Sequence, residues 1–340
     1  MERILAAMSL DATDRAPVIA QVFGHAAVVA GVPLGRYVQD GATLARCQLE
    51  ALERYGYDAV FALMDATVET EAMGSVLDYR TNSYPTVKSY ALESERGTDD
   101  LILPDPKRDG RMPEILKAAQ ILREKVKDST LVVGCVLGPL TLVVQLLGAE
   151  SALYLAIDDP EKFASLLDLA ADAVIGFGEA QMVAGTHLPM VFDPSASEDF
   201  VPHQFFREME APRLKRVFEA FRKAGACGNW LHIAGPVEHI LPLYGEIGVN
   251  IANFDYCVAP VRAREALPQL CLEGNIKSLD FVDSSPGAIA AQSGQLMDFF
   301  EDRGGFILSS GCEIPPESRP ENVVAMVSST VGRRPVRCRG

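Results

Sequence analysis

The sequence predicts a (β/α)8 TIM barrel, and three observations carry that prediction. Short apolar runs bounded by Gly, Pro, Asn and Asp recur at wide spacing, and eight of them qualify as strands. They read as nearly continuous apolar segments rather than alternating ones, as strands buried on both faces of a parallel sheet do. Helical patterns lie between them, and 340 residues leave room for one such barrel.

In order along the chain, the expected strands are 16–23, 59–65, 130–137, 188–193, 229–233, 249–255, 270–276 and 306–310. Among the helices, 43–55 repeats Leu44, Cys47, Leu49 and Leu52 on one face. A second, 160–176, opens behind Asp159 as a cap, and a third, 205–224, gathers Lys and Arg toward its end. Two stretches after the second strand break the alternation. Residues 77–92 read as an inserted hairpin with Asn82, Ser83 and Pro85 as turn formers, and 94–111 read as a loop. Together, 77–111 form an expected flap over the barrel mouth. The expected organisation is a single barrel domain over 1–332 and a basic tail, 333–340, whose four arginines read as a solvated terminus.

Composition narrows the function. Hydrophobic residues make up 48% of the chain and charged residues 23%, which supports a folded core and excludes disorder as the main state. Forty-six acids against 31 bases leave a net charge of −15, which argues against nucleic acid or an anionic membrane as partner. Seven cysteines without a CxxC pair fit a reducing cytoplasm. Glu2 and Arg3 head a start unlike a secretory signal, and the apolar run 131–144 is broken by Gly134, Gly138 and Pro139. A cytoplasmic protein is therefore expected.

In such a barrel the chemistry gathers at the C-terminal strand ends. These ends carry Gln21 and His25, Asp65, Asp193 with Ser195 and Ser197, His232, Asn253 with Asp255, Asn275 with Lys277, and Cys312 with Glu313. The third strand ends in Gly138-Pro139 and offers backbone only. Each has a structural alternative. Asp193 can cap the turn opened by Pro194, His232 can bond a backbone carbonyl, Asp255 and Asn275 can bond each other, and Cys312 can simply pack. Cys47, Cys227 and Cys271 read as core or near-core thiols. Phosphate-loop, dinucleotide, zincin and serine-hydrolase motifs are absent, as is the D-x-H-x-x-G pattern of a cobalt-ligating histidine.

A group of segments together resembles the uroporphyrinogen decarboxylase superfamily, in particular its corrinoid-dependent methyltransferase branch. They are DRAPVIAQV, ERYGYDAV, GPLTLVVQLLG, FDPSASEDFVPHQF, WLHIAG, NFDYC, LEGNI and SSGCEIPPESRPENVVAM. The resemblance implies a barrel with its active site in the mouth. Two departures bear on the branch. The decarboxylases hold porphyrinogen carboxylates with arginines after the first strand, where this chain has Gln21-Val22-Phe23-Gly24-His25. The thiol-methylating members hold zinc with a His-x-Cys pair and a later Cys; this chain keeps His232 and Cys312 but has Ala234 between them.

The chain is thus most similar to members that move methyl groups between a separate methylcorrinoid (methylcobalamin) protein and tetrahydrofolate during glycine betaine demethylation. N5 of the folate carries a free lone pair and needs no zinc. The resemblance implies His232, Asp193 and Glu313 as catalytic residues. Gln21, Asp65, Asn253, Asp255, Asn275 and Cys312 would contact the folate, and no metal is expected. Should zinc be present, His232 and Cys312 are its ligands, and the alternative is a zinc-dependent methylcorrinoid:thiol methyltransferase. A decarboxylase ranks third, and a non-catalytic binding barrel is the reading from another class.

Overall fold

The computed structural model describes residues 1–92, 101–301 and 304–332. The tail 333–340 and the first part of the expected loop, 94–100, lie outside the described residues. Ten strands are present: β1 (Val18–Ile19), β2 (Ala59–Ala62), β3 (Val76–Asp78), β4 (Thr86–Ser89), β5 (Leu131–Leu137), β6 (Leu188–Phe192), β7 (Trp230–His232), β8 (Ile251–Asn253), β9 (Cys271–Ile276) and β10 (Phe306–Ser310). Eight pair in parallel in the order β1-β10-β9-β8-β7-β6-β5-β2, while β3 and β4 form an antiparallel hairpin. Between β1 and β2 the ring closes through Asp58. Its amide donates to the Val18 carbonyl at 2.8 Å, and its carboxylate accepts the Val18 amide at 2.8 Å. Arg15 neutralises that carboxylate from the side. The fold is the expected (β/α)8 barrel, with the expected hairpin inserted after its second strand.

Strand periodicity sorts the side chains. Ile19, Phe61, Val133, Met190, Trp230, Ile251, Cys271 and Ile307 point inward and fill the barrel, closed at its base by Ile4 and Ala7 of the helix Glu2–Met8. Their neighbours Val18, Val60, Val132, Val191, Leu231, Ala252, Leu272 and Leu308 point outward against the helices. Two residues further along the inward face stand Gln21, Phe192, His232, Asn253, Glu273 and Ser309. The polar layer of the mouth is therefore the next storey of the same packed interior.

The expected helices form with altered bounds. Gly41–Tyr55 starts behind Asp40, whose carboxylate accepts the Thr43 amide at 3.0 Å. Asp159 caps the next helix as expected, accepting Lys162 N–H at 3.0 Å, but that helix runs on to Ala184. The expected helix 205–224 forms, with a wide π-type segment at Phe206–Glu210 leading into Ala211–Lys223. Pro212 has no N–H to donate back into that turn, so the hydrogen-bond ladder slips there. Cys47 and Cys271 are buried as expected, but Cys227 is exposed, just beyond the Ala211–Lys223 helix and ahead of β7. Among the described residues, no single helix is long and apolar enough to cross a membrane.

Candidate active site

A cavity of about 570 Å³ opens at the C-terminal ends of β2, β5 and β6, within the range of small-molecule sites. Tyr84, Pro85, Thr86 and Val87 of the hairpin line one side, so the inserted element lies over the mouth. Phe23, Tyr90, Phe177 and Phe192 contribute aromatic rings. Three carboxyl side chains, Asp65, Glu69 and Glu313, reach the wall, and no Lys or Arg is among the described lining residues.

These three carboxyls differ in what they already hold. Asp65 is committed: Oδ1 accepts from the Thr67 amide (2.8 Å) and hydroxyl (2.5 Å), and Arg111 clasps both oxygens. Arg111 is itself buried and also bonds Glu71 and the Val38 carbonyl. Glu313 accepts on Oε1 from the Tyr84 hydroxyl and the Gly24 amide. Burial pushes its pKa up to about 7, against the lowering effect of the Tyr84 bond. Glu69 accepts the Leu137 amide on Oε1 at 2.8 Å and is likewise pushed up to about 7 by burial.

Beside this cavity lies the polar storey of the barrel interior. Glu273 is fully buried there, accepting from Gln21 Nε2 at 3.1 Å and Asn253 Nδ2 at 2.7 Å. Desolvation raises it to about 7. His232 stacks on Phe192 with ring centroids 5.0 Å apart, and neither ring nitrogen has a partner. Burial holds it down to about 3, so the ring is neutral. The backbone-carbonyl bond considered for His232 is not made.

Several residues expected to contact substrate are engaged within the fold instead. Asp193 is fully buried and does not cap its own turn. Its Oδ1 reaches across to the start of the helix Pro139–Leu147, accepting from the Thr141 amide (2.9 Å) and hydroxyl (2.6 Å). Gly138 makes this possible, because a Cβ there would fall 2.1 Å from the Asp193 carboxyl carbon. Glu210 is buried beside it, and burial raises both acids. Asn275 donates to the carbonyls of Val258 (2.9 Å) and Asp255 (3.3 Å), while the Asp255 carboxylate accepts from the amides of Gly235 and Tyr256. The two thus meet through a backbone carbonyl rather than side chain to side chain. His25 bridges the Pro316 carbonyl and the Tyr55 hydroxyl. The strand-end reading missed Glu69, Arg111 and Glu273. Glu273 was legible as the inward residue two beyond Cys271; Arg111 lies 46 residues from Asp65 and left no local signal.

Measured against the His-x-Cys zinc pattern, one donor is missing: Ala234 offers no ligand, and no group of three His, Cys, Asp or Glu lies together among the described residues.

A (β/α)8 barrel with its polar groups gathered at the C-terminal mouth has the architecture of a barrel enzyme site. The chain belongs to the uroporphyrinogen decarboxylase (URO-D) family, whose model matches residues 1–331. It is 28% identical over 291 residues to a methylcobamide:CoM methyltransferase of Methanosarcina barkeri, covering 84% of this chain and 83% of that one. To a uroporphyrinogen decarboxylase of Anaeromyxobacter dehalogenans it is 24% identical over 297 residues, 84% of each. A solved methyltransferase from Methanosarcina mazei superposes with a TM-score of 0.88 at 26% identity, over 96% of this chain and 97% of that one.

Proposed function

We propose that this barrel is a methyltransferase passing a methyl group from a separate methylcorrinoid protein to N5 of tetrahydrofolate, as in glycine betaine demethylation. The observation that carries this acceptor is the mouth cavity, with three carboxyl side chains and no Lys or Arg among its described lining residues. A small anionic thiol such as coenzyme M needs a cation, and a porphyrinogen needs several. A reduced pterin presents N–H donors, which carboxyls accept. The names of the methylcobamide:CoM methyltransferase relatives support a methylcorrinoid donor.

In this reading the N5 lone pair forms the bond to the methyl carbon as the carbon–cobalt bond breaks, its electron pair passing to cobalt on the partner protein. The N5 proton passes to Glu313, which Tyr84 and Gly24 hold at the cavity wall. His232, Asp193, Gln21, Asn253, Asp255, Asn275 and Cys312 lie outside the described cavity lining and support this centre from the surrounding fold.

A second reading, zinc-dependent transfer to a thiol through His232 and Cys312, has one specific observation in its favour: both His232 ring nitrogens are unpartnered. The coenzyme M relatives lean the same way. Zinc analysis of the dialysed protein combined with calorimetric titration of tetrahydrofolate separates the two. Folate binding with zinc well below one per chain is expected. One zinc per chain without folate binding overturns the proposal in favour of the thiol.

A further inference from the structure

We infer that Glu69 anchors the ligand of this cavity, accepting two adjacent N–H donors from one edge of a flat heterocycle, the edge a 2-amino-4-oxopteridine presents. The inference rests on the acceptor proposed above and names the contact that would select it.

The assignment follows from what each wall carboxyl has left to give. Both Asp65 oxygens are taken by Arg111, with Thr67 adding two donors, so a ligand would have to displace a buried ion pair. Glu313 has its Oε1 tied by the Tyr84 hydroxyl and the Gly24 amide, and the reading above gives its remaining capacity to the N5 proton. Glu69 is only 3% exposed, no side chain among the described residues bonds it, and the donors it meets are backbone amides, that of Leu137 at Oε1 and its own. A carboxyl buried to that degree and held by backbone alone keeps acceptor capacity for a group supplied from the cavity it lines. Its position is fixed, since Oε1 is pinned to the Leu137 amide at 2.8 Å at the end of β5. The neighbouring Gln145 accepts the Thr70 hydroxyl on its Oε1, and Phe177 and Val136 supply apolar wall for a planar ring. A ligand with two parallel N–H donors would meet the carboxylate side-on, the geometry a guanidinium uses.

The test is calorimetry on the full chain with 6,7-dimethyltetrahydropterin, which lacks the benzoylglutamate tail, and with its analogue lacking the 2-amino group. Wild type should bind the pterin more tightly than the analogue. Glu69→Gln, which keeps an acceptor for Leu137, should weaken pterin binding about ten-fold or more and bring it level with the analogue. Glu69→Asp, retracted by one methylene, should also weaken the pterin, and thermal melting checks that both variants fold. The weakening of wild-type binding as pH falls through about 7, where burial places Glu69, should vanish in Glu69→Gln. Pterin binding unchanged in folded Glu69→Gln overturns the anchor and leaves the acceptor reading standing. If wild type binds neither pterin nor tetrahydrofolate, the acceptor reading falls, and the anchor with it.

Discussion

Tyr84, in the turn of the β3–β4 hairpin, donates its hydroxyl to Glu313, which follows the last barrel strand more than two hundred residues later. The Gly24 amide donates to both, at 2.7 Å to the Tyr84 oxygen and 3.2 Å to Glu313 Oε1. Only glycine fits there, since a Cβ on residue 24 would lie 2.4 Å from the Tyr84 oxygen. One phenol thus ties the hairpin to the rim that holds the proposed proton acceptor. Tyr84→Phe keeps the ring and removes the tie, leaving the Gly24 donor and the Glu313 acceptor short of a partner, at a cost of about 1–3 kcal/mol. Amides of β4 should exchange hydrogen faster in the variant while those of β5 do not change. Equal exchange in β4 would show that apolar packing alone holds the hairpin. Because the Tyr84 bond lowers the Glu313 pKa, any pH midpoint of methyl transfer set by Glu313 should move upward in the same variant.

Three buried acids, Glu69, Glu273 and Glu313, are each raised from 4.5 to about 7 by burial. Between those values the folded chain binds more protons than the unfolded one, so each acid costs stability as pH rises through that window, up to about 3 kcal/mol. His25, His187 and His232, all lowered by burial, act with the opposite sign below 6.5. The clean readout is therefore a difference between variant and wild type. Glu273→Gln removes the charge while Gln21 and Asn253, whose Oε1 and Oδ1 lack partners, can turn their amides to meet it. The variant should gain melting temperature relative to wild type as pH goes from 5 to 8. A pH-independent difference would mean that Glu273 stays neutral, or is equally ionised, in both states.

How far the sequence could be read depended on whether a residue's neighbours are close in the chain. Every barrel strand was legible because its partners impose a local composition, and the Asp159 cap because Lys162 is three residues away. Asp65 looked free to meet a ligand because its partner, Arg111, sits beyond a loop with no periodic signal of its own. Asp193 looked free to meet substrate, or at most to cap its own turn, because its actual partner, the helix start at Thr141, is 52 residues upstream. Glu69 lies in the short helix Val68–Ala72, where a charged residue reads as solvated surface, and only the tertiary fold buries it. Glu313, just after β10, lines the cavity, whereas its neighbour Cys312 is not among the described lining residues.

The missing third donor at residue 234 gives the sharpest test between an amine and a thiol acceptor. His232 ends β7 with a neutral ring and two open nitrogens, and Ala234 stands two residues on, half-buried. Ala234→Cys restores the His-x-Cys spacing. A metal would then favour the thiolate form of both the introduced cysteine and Cys312, whose thiol burial now holds protonated. After zinc loading and dialysis the variant should retain about one zinc per chain, and cobalt(II) in its place should give a thiolate-to-metal charge-transfer band. Wild type treated alike should keep far less and show no such band. Gaining the metal should leave pterin binding at Glu69 intact, because that carboxyl hangs from the Leu137 amide on β5, two strands away around the ring from β7. If wild type instead holds zinc as firmly as the variant, a ligand other than residue 234 completes the site, and the acceptor must be sought among thiols.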